Sequence, residues 1–131
     1  MLSCQDEALL GNRILVAEDD WIIAYDTQTL LQNAGADVAG PVATLAATLA
    51  LARSDALSCA VLDINLRDED VLPAAQVLKE RGVNIVFYTA HWEPESLMRY
   101  WPDARLVAKP APHEVLMNAV RAACQRGARQ P

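Results

Sequence analysis

The feature that most constrains the fold is a run of small or apolar residues, Cys59 to Leu62, which ends directly at the carboxylate of Asp63. An unbroken apolar run bounded by polar residues predicts a strand buried on both faces, as in a parallel sheet. Open α/β sheets bind their ligands at the carboxyl ends of such strands. Asp63 is therefore either a candidate for chemistry or simply the residue at which the chain leaves the core, and the run alone does not decide between the two.

The same pattern recurs along the chain. Further apolar strands are predicted at residues 14–17, 37–40, 83–88 and 104–108, with Pro41 closing the second strand. Helices are predicted at about residues 21–34, 44–52, 70–81, 94–100 and 112–126, several of them bounded by a capping or glycine residue. Strands that alternate with helices favour βαβ units with right-handed crossovers. We therefore predict an α/β fold, a doubly wound five-stranded parallel sheet with helices on both faces.

The length and composition set the outer limits of this prediction. A chain of 131 residues with 53% hydrophobic residues forms one domain, which we place at residues 13–126 between tails at 1–12 and 127–131. A net charge of −6 argues against general nucleic-acid binding. No apolar run approaches the roughly 20 residues that span a bilayer, and the acidic start lacks the layout of a secretory signal. Three widely spaced cysteines favour reduced thiols in a cytoplasmic protein.

Four of the five predicted strands end at a polar residue suited to chemistry. These are Glu18-Asp19-Asp20, Asp63, Thr89 and Lys109. Each has an ordinary explanation as a solvated turn or a surface residue. Their conjunction is informative because the carboxyl ends of parallel strands lie along one edge of the sheet, so residues far apart in sequence meet there.

The chemistry follows from the charges of this set. Clustered carboxylates repel one another unless a cation is present, and oxygen ligands suit Mg²⁺, which is usually completed by water and phosphate. A lysine and a hydroxyl could neutralise and hydrogen-bond phosphoryl oxygens, which is most of what phosphoryl transfer needs. Asp63, on the most central strand, is the natural nucleophile for forming an aspartyl phosphate.

Over nearly all of residues 13–126 the sequence resembles the receiver domain of two-component response regulators. The resemblance is carried by four segments: Ile14 to Asp20, Val61 to Leu66, Phe87 to Ala90, and Val107 to Pro110. It implies a flavodoxin-like fold with strand order 2-1-3-4-5. It also implies a signalling phosphoacceptor that catalyses its own phosphorylation and dephosphorylation, rather than an enzyme with a separate substrate.

The resemblance also implies a role for each site residue. Asp63 is phosphorylated, the Thr89 hydroxyl contacts the phosphoryl group, and Lys109 completes the site. Asp19 is a direct Mg²⁺ ligand and Glu18 acts through water, whereas Asp20 lies outside the pair. Asp63 and the backbone carbonyl of Asn65 complete the metal site. The Lys109–Pro110 bond is expected to be cis, and Trp21 is expected to lie near the metal.

Three features depart from the usual pattern of the family. Leu106 stands where most members have the aromatic residue of a switch, and the loop after Asp63 has no glycine. Little room is left between Thr89 and Lys109 for a full fourth helix. These traits are similar to a proteobacterial subclass of stand-alone receivers. We therefore expect the sparsely apolar segment 90–103, rather than an aromatic switch, to order on phosphorylation.

Two other functions are compatible with parts of the pattern. Haloacid-dehalogenase-like phosphatases also use a nucleophilic aspartate, Mg²⁺, threonine and lysine. They place a second aspartate two residues after the nucleophile, however, where this chain has Asn65, and their acidic pair follows the nucleophile. A receiver-like module that binds a partner without phosphorylation is the other alternative, and the complete set of site residues argues against it.

The partners implied by the resemblance are a sensor histidine kinase or a histidine phosphotransfer protein, and a downstream protein that the sequence does not identify. Because no output domain is expected after Arg126, we predict action through protein contacts or as a relay, with no nucleic-acid or membrane partner. Self-association as a homodimer is left open.

Overall fold

The computed structural model describes residues 7–67, 69–90 and 94–128. Its strands are β1 (Arg13–Ala17), β2 (Asp37–Val42), β3 (Cys59–Leu62), β4 (Asn65–Leu66), β5 (Glu69–Asp70), β6 (Asn84–Thr89) and β7 (Arg105–Ala108). Its helices are α1 (Trp21–Asn33), α2 (Leu45–Ser54), α3 (Leu72–Glu80), α4 (Pro94–Tyr100) and α5 (His113–Ala128). No described helix has the length and hydropathy needed to cross a membrane.

Five of the strands form one sheet in the order β2-β1-β3-β6-β7, and every neighbouring pair is parallel. Counting only these five strands, the order is 2-1-3-4-5, as predicted. The central strand β3 is buried along its whole length, which explains why its sequence is apolar without alternation. The predicted α/β architecture is therefore confirmed.

Successive residues of each strand point to opposite faces of the sheet and feed two separate apolar layers. On one face Leu62 and Phe87 belong to a layer that also contains Ala52 of α2 and Leu78 of α3. On the other face Val61 belongs to a layer built with the following residues of α1 and α5: Leu31, Leu116 and Val120. These two layers fix the sheet, and with it the positions of the strand ends.

The second strand is longer than predicted. β2 runs through Pro41 to Val42 instead of closing at Pro41. Proline is tolerated here because β2 is an edge strand and its register against β1 shifts between Leu15 and Ala17. Gly40 has a φ of 103°, and a Cβ at this position would come within 2.9 Å of the Val16 carbonyl oxygen, so the close approach of β2 to β1 requires glycine.

The segment after Asp63 also differs from the prediction. A helix from Asp70 was expected, but Asn65–Leu66 and Glu69–Asp70 form a two-stranded antiparallel hairpin, and α3 begins at Leu72. The Asp70 side chain accepts a hydrogen bond from the Leu72 N–H at 3.0 Å. Asp70 therefore lies just outside the helix and satisfies one of its free N–H groups.

The described end of the predicted N-terminal tail packs against the domain. Leu9 is fully buried, and its N–H donates to the Ala34 carbonyl oxygen at 2.9 Å. The packed part of the chain therefore begins before residue 13, because Leu9 covers the end of α1. Residues 1–6 and 129–131, which include Cys4 and most of the predicted tails, lie outside the described residues.

Candidate functional site

The parallel sheet brings the predicted site residues to one edge. Glu18 directly follows β1, Asp63 follows β3, Thr89 ends β6 and Lys109 follows β7. Main-chain hydrogen bonds extend the ladder to these positions: the Asp63 N–H donates to the Ala17 carbonyl oxygen at 2.9 Å, and the Lys109 N–H donates to the Thr89 carbonyl oxygen at 3.0 Å. The polar side chains at the strand ends are thus held by the sheet rather than by flexible loops.

Lys109 lies at the centre of the site. Its Nζ is 2.9 Å from Asp63 Oδ2 and 2.5 Å from Glu18 Oε1. All three side chains are almost entirely shielded from solvent. One ammonium group therefore holds two carboxylates that come from residues 91 and 46 positions away in sequence.

Asp19 contributes a third carboxylate. Oxygen atoms of Glu18, Asp19 and Asp63 all lie within 4.8 Å of one another. Asp19 Oδ2 also accepts a hydrogen bond from the Arg67 N–H at 2.9 Å, which connects Asp19 to the residue that follows β4 in the hairpin. Three carboxylates thus face one lysine, leaving an excess of negative charge that a divalent cation would neutralise.

Asp20 has a separate, structural role. Its Oδ1 accepts hydrogen bonds from the N–H groups of Ile22 and Ile23, and it caps the N-terminus of α1. Its own N–H donates to Glu18 Oε2 at 3.1 Å, which helps to orient that carboxylate. Asp20 therefore caps α1 and is not one of the three carboxylates of the cluster.

Thr89 and Asn65 are the two remaining predicted site residues. Thr89 is 1% exposed and is the last residue of β6. Asn65 is exposed, and its N–H lies 3.4 Å from Asp63 Oδ1. The roles assigned to the Thr89 hydroxyl and the Asn65 carbonyl remain predictions.

The burial of the site changes the protonation of Glu18 and Lys109. Burial raises the pKa of Glu18 to about 7, against the opposing effects of the Lys109 ammonium and the Asp20 N–H. Burial alone would lower the pKa of Lys109, but its hydrogen bonds to Asp63 and Glu18 more than compensate and raise it. Without a metal, Glu18 is therefore partly protonated near neutral pH while Lys109 stays charged.

The donor set fits a hard divalent cation. Its three side chains offer only carboxylate oxygens and no thiolate or imidazole. Mg²⁺ prefers oxygen ligands, needs few from the protein and retains water in the others. The acidic group of Glu18, Asp19 and Asp63 could therefore hold a metal, and its identity as a magnesium site completed by Asn65 remains a prediction.

Two residues in the site were not anticipated. Lys109 Nζ lies 5.5 Å from the centroid of the Tyr88 ring, a contact that the strand pattern alone does not reveal. Arg67 adopts a φ of 49°, the left-handed conformation that glycine usually supplies. Members of this family often have a glycine in this loop. Its absence was the one sequence signal that another residue would have to adopt the left-handed conformation there.

The remaining site predictions have mixed outcomes. The Lys109–Pro110 bond is cis, as expected, and the Gly40–Pro41 bond is cis as well. Trp21 begins α1 with 77% of its surface exposed, and its proximity to a bound metal stays a prediction. Leu106 is half-buried and packs against the layer that contains Phe87. His91 and Trp92 lie outside the described residues.

Comparison with known proteins gives a consistent result. The sequence model of the response regulator receiver domain family matches residues 14–121. Among solved structures, a response regulator receiver protein from Sinorhizobium medicae is 26% identical, with a TM-score of 0.80 over 88% of this chain and 96% of that one. No match was found among curated proteins.

Two further solved structures are also similar to this chain. A CheY-like receiver domain protein from Methanospirillum hungatei has a TM-score of 0.81 over 92% of this chain and 98% of that one, and its 23% identity supports the fold alone. The response regulator PhyR from Brucella abortus is 25% identical with a TM-score of 0.77. There the match covers 92% of this chain but 50% of the longer protein.

Proposed function

The chain belongs to the response regulator receiver domain family, and on this premise we propose that it is the phosphoacceptor of a two-component relay, with Asp63 as the residue phosphorylated. The proposal is supported above all by the convergence of Asp63 with Lys109 and the acidic pair at one edge of the sheet. Asp63 Oδ2 lies 2.9 Å from Lys109 Nζ, and oxygens of Glu18 and Asp19 lie within 4.8 Å. Asp63 therefore lies beside a cation that can neutralise negative charge and within a carboxylate group that could hold a metal, the surroundings in which a carboxylate can act as a nucleophile at phosphorus.

The transfer is a displacement at phosphorus. A carboxylate oxygen of Asp63 forms the new P–O bond, the P–N bond of a phosphohistidine breaks, and its electron pair stays on the leaving imidazole nitrogen. The donor would be a sensor histidine kinase or a histidine phosphotransfer protein. Lys109 would hold the carboxylate and neutralise charge, and the Thr89 hydroxyl would donate to a phosphoryl oxygen.

The part of the metal in this transfer would be to neutralise charge. Mg²⁺ held by Glu18, Asp19, Asp63 and the Asn65 carbonyl would neutralise charge on the phosphoryl oxygens. Glu18 must give up its proton, and at least part of its bond to Lys109, before it can serve such a site. The downstream partner, whether a protein target or another member of a relay, would recognise the phosphorylated form.

The proposal is tested by labelling the purified protein with a small acyl phosphate and Mg²⁺, and measuring its intact mass. We expect one phosphoryl group per chain, removed by hydroxylamine, and no labelling of Asp63→Asn. Asp20→Asn is the matched control: Asp20 is an aspartate in the loop after β1, outside the carboxylate cluster, and asparagine caps helices equally well. Retained labelling in Asp63→Asn contradicts the assignment, and equal loss in Asp20→Asn shows that the loss is not specific to Asp63.

A further inference from the structure

Lys109 has an aromatic neighbour in addition to its two carboxylate partners. Its Nζ lies 5.5 Å from the centroid of the Tyr88 ring. A lysine ammonium within about 6 Å of a ring centroid is attracted by the electron density of the ring face. The ammonium is therefore held from two sides, by the carboxylates of Glu18 and Asp63 and by the ring.

The Tyr88 ring is fixed in place by the fold. Tyr88 pairs with Val107 of β7, and its half-buried side chain packs against the apolar layer that contains Val107 and Ala111. The next residue, Thr89, accepts the Lys109 N–H at 3.0 Å, so the two backbones are joined beside the contact. The ring is thus a rigid surface for the lysine side chain rather than a mobile neighbour.

The hydrogen bond to Lys109 and the binding of a cation draw on the same carboxylate, that of Glu18. Glu18 forms a hydrogen bond with Lys109 in this structure and is also a member of the carboxylate cluster. A carboxylate oxygen turned towards a metal is less available to the ammonium. Tyr88 offers no carboxylate, so its contact does not compete for the metal and can remain when the Glu18 contact weakens.

We propose that Tyr88 is a positioning residue: its ring holds the Lys109 ammonium beside Asp63 while Glu18 is released to the metal. This inference rests on the proposed function and deepens it. Without the ring, Lys109 would depend more strongly on Glu18 and compete with the metal for it. Loss of the ring therefore weakens Mg²⁺ binding and slows phosphorylation of Asp63, although Tyr88 touches neither reacting group.

The contact between Lys109 and the Tyr88 ring can be measured directly, because the chain contains only two lysines, Lys79 and Lys109. With ¹³C-labelled lysine, each residue gives its own Cε–Hε signals by NMR. Stacking on a ring shifts the Lys109 signals upfield. Lys79 donates to the Tyr100 carbonyl oxygen in a separate part of the molecule and serves as the internal reference.

We expect the upfield shift in the wild type and in Tyr88→Phe, and its loss in Tyr88→Leu with Lys79 unchanged. The apparent Mg²⁺ dissociation constant should rise roughly two- to five-fold in Tyr88→Leu, and the rate of acyl phosphate labelling should fall by a similar factor. Tyr88→Phe should match the wild type in both. An unchanged Lys109 signal in Tyr88→Leu overturns the proposal, and so does a lost shift with unaltered Mg²⁺ binding.

If Tyr88→Leu does not fold, fluorinated phenylalanines at position 88 provide the same test without changing the shape of the side chain. Mg²⁺ affinity should fall as fluorine withdraws electron density from the ring, and equal affinity across the series overturns the proposal. The NMR measurement needs no phosphorylation. Failure of Asp63 labelling would therefore contradict the proposed function while leaving the Tyr88 contact separately measured.

Discussion

The Glu18 side chain is almost wholly removed from solvent, with Lys109 and the Asp20 N–H as its hydrogen-bonding partners and Asp63 as a nearby like charge. Removal of a carboxylate from water disfavours its charged form. The single ammonium of Lys109 is shared with Asp63 and does not fully offset this cost. The folded protein therefore favours a proton on Glu18 that the unfolded chain would release.

This imbalance predicts how the stability of the metal-free protein depends on pH. The pKa of Glu18 is about 7 in the folded state against an ordinary value of 4.5, so its contribution is complete below pH 4.5 and is lost as the pH rises through about 7. Urea unfolding with a chelator present should show the free energy of unfolding falling across this window. Allowing for solvent screening, the loss is no more than about 2 kcal/mol.

Glu18→Gln should flatten this part of the profile because glutamine does not titrate. Glu114→Gln, an exposed carboxylate at the start of α5, should retain the wild-type slope. A profile of Glu18→Gln identical to that of the wild type would show that Glu18 is charged throughout, and would contradict the prediction.

The short hairpin formed by β4 and β5 could not be predicted from the sequence. The large strands could be predicted because apolar runs such as Cys59 to Leu62 end abruptly at polar residues. The hairpin strands have two residues each, too few for any periodic pattern. The hairpin also contains Arg67, whose N–H donates to the Asp19 carboxylate 48 positions away, a contact that exists only in the folded chain.

The backbone of Arg67 gives an element-scale prediction. Its φ of 49° is strained for any residue with a Cβ, so Arg67→Gly should equal or exceed the wild type in stability, by up to about 1 kcal/mol. Arg67→Pro fixes φ near −65° and removes the N–H that Asp19 accepts, so it should weaken Mg²⁺ binding severalfold. Arg67→Ala separates the loss of the side chain from the backbone effect. A Gly variant less stable than the Ala variant would contradict this account.

Helix α4 is the element that we expect to change conformation most readily. It has seven residues and is held by Leu97 and by Trp101, whose ring meets Phe87 edge-on at 5.9 Å. Phe87 lies two residues before Thr89 in β6, so this ring pair is a physical contact between the strand that carries Thr89 and the residue that follows α4. These anchors show that Leu97 and Trp101 are packed in this state, and the proposed ordering on phosphorylation remains a prediction.

We expect amide hydrogen exchange across residues 94–103 to slow when a beryllofluoride phosphoryl mimic and Mg²⁺ are added, with α3 as an unresponsive reference. The same additions should leave Asp63→Asn unchanged. Equal protection of these amides with and without the phosphoryl mimic would mean that the structural response to phosphorylation lies outside residues 94–103.

At the scale of the whole molecule, carboxylates outnumber the basic group that they surround at both edges of the sheet, and the excess is larger at the carboxyl edge. At the amino-terminal edge Arg13 pairs with Asp37 and Asp55 at 2.7 Å each. At the carboxyl edge three carboxylates face Lys109. The carboxyl edge thus carries an excess of negative charge within a chain whose net charge is already −6.

This asymmetry predicts that Mg²⁺ stabilises the entire fold, because the carboxylates that would bind it are brought together only in the folded state. Once the site is saturated, each tenfold rise in free Mg²⁺ should add about 1.4 kcal/mol to the free energy of unfolding, seen as a steady rise in Tm. Asp19→Asn should reduce this response at every Mg²⁺ concentration, whereas Asp20→Asn, altered only at the α1 cap, should retain it. Sodium chloride at matched ionic strength separates screening from binding. An equal rise in Tm with sodium, or in Asp19→Asn, would mean that general screening, rather than a cation held at this edge, relieves the repulsion.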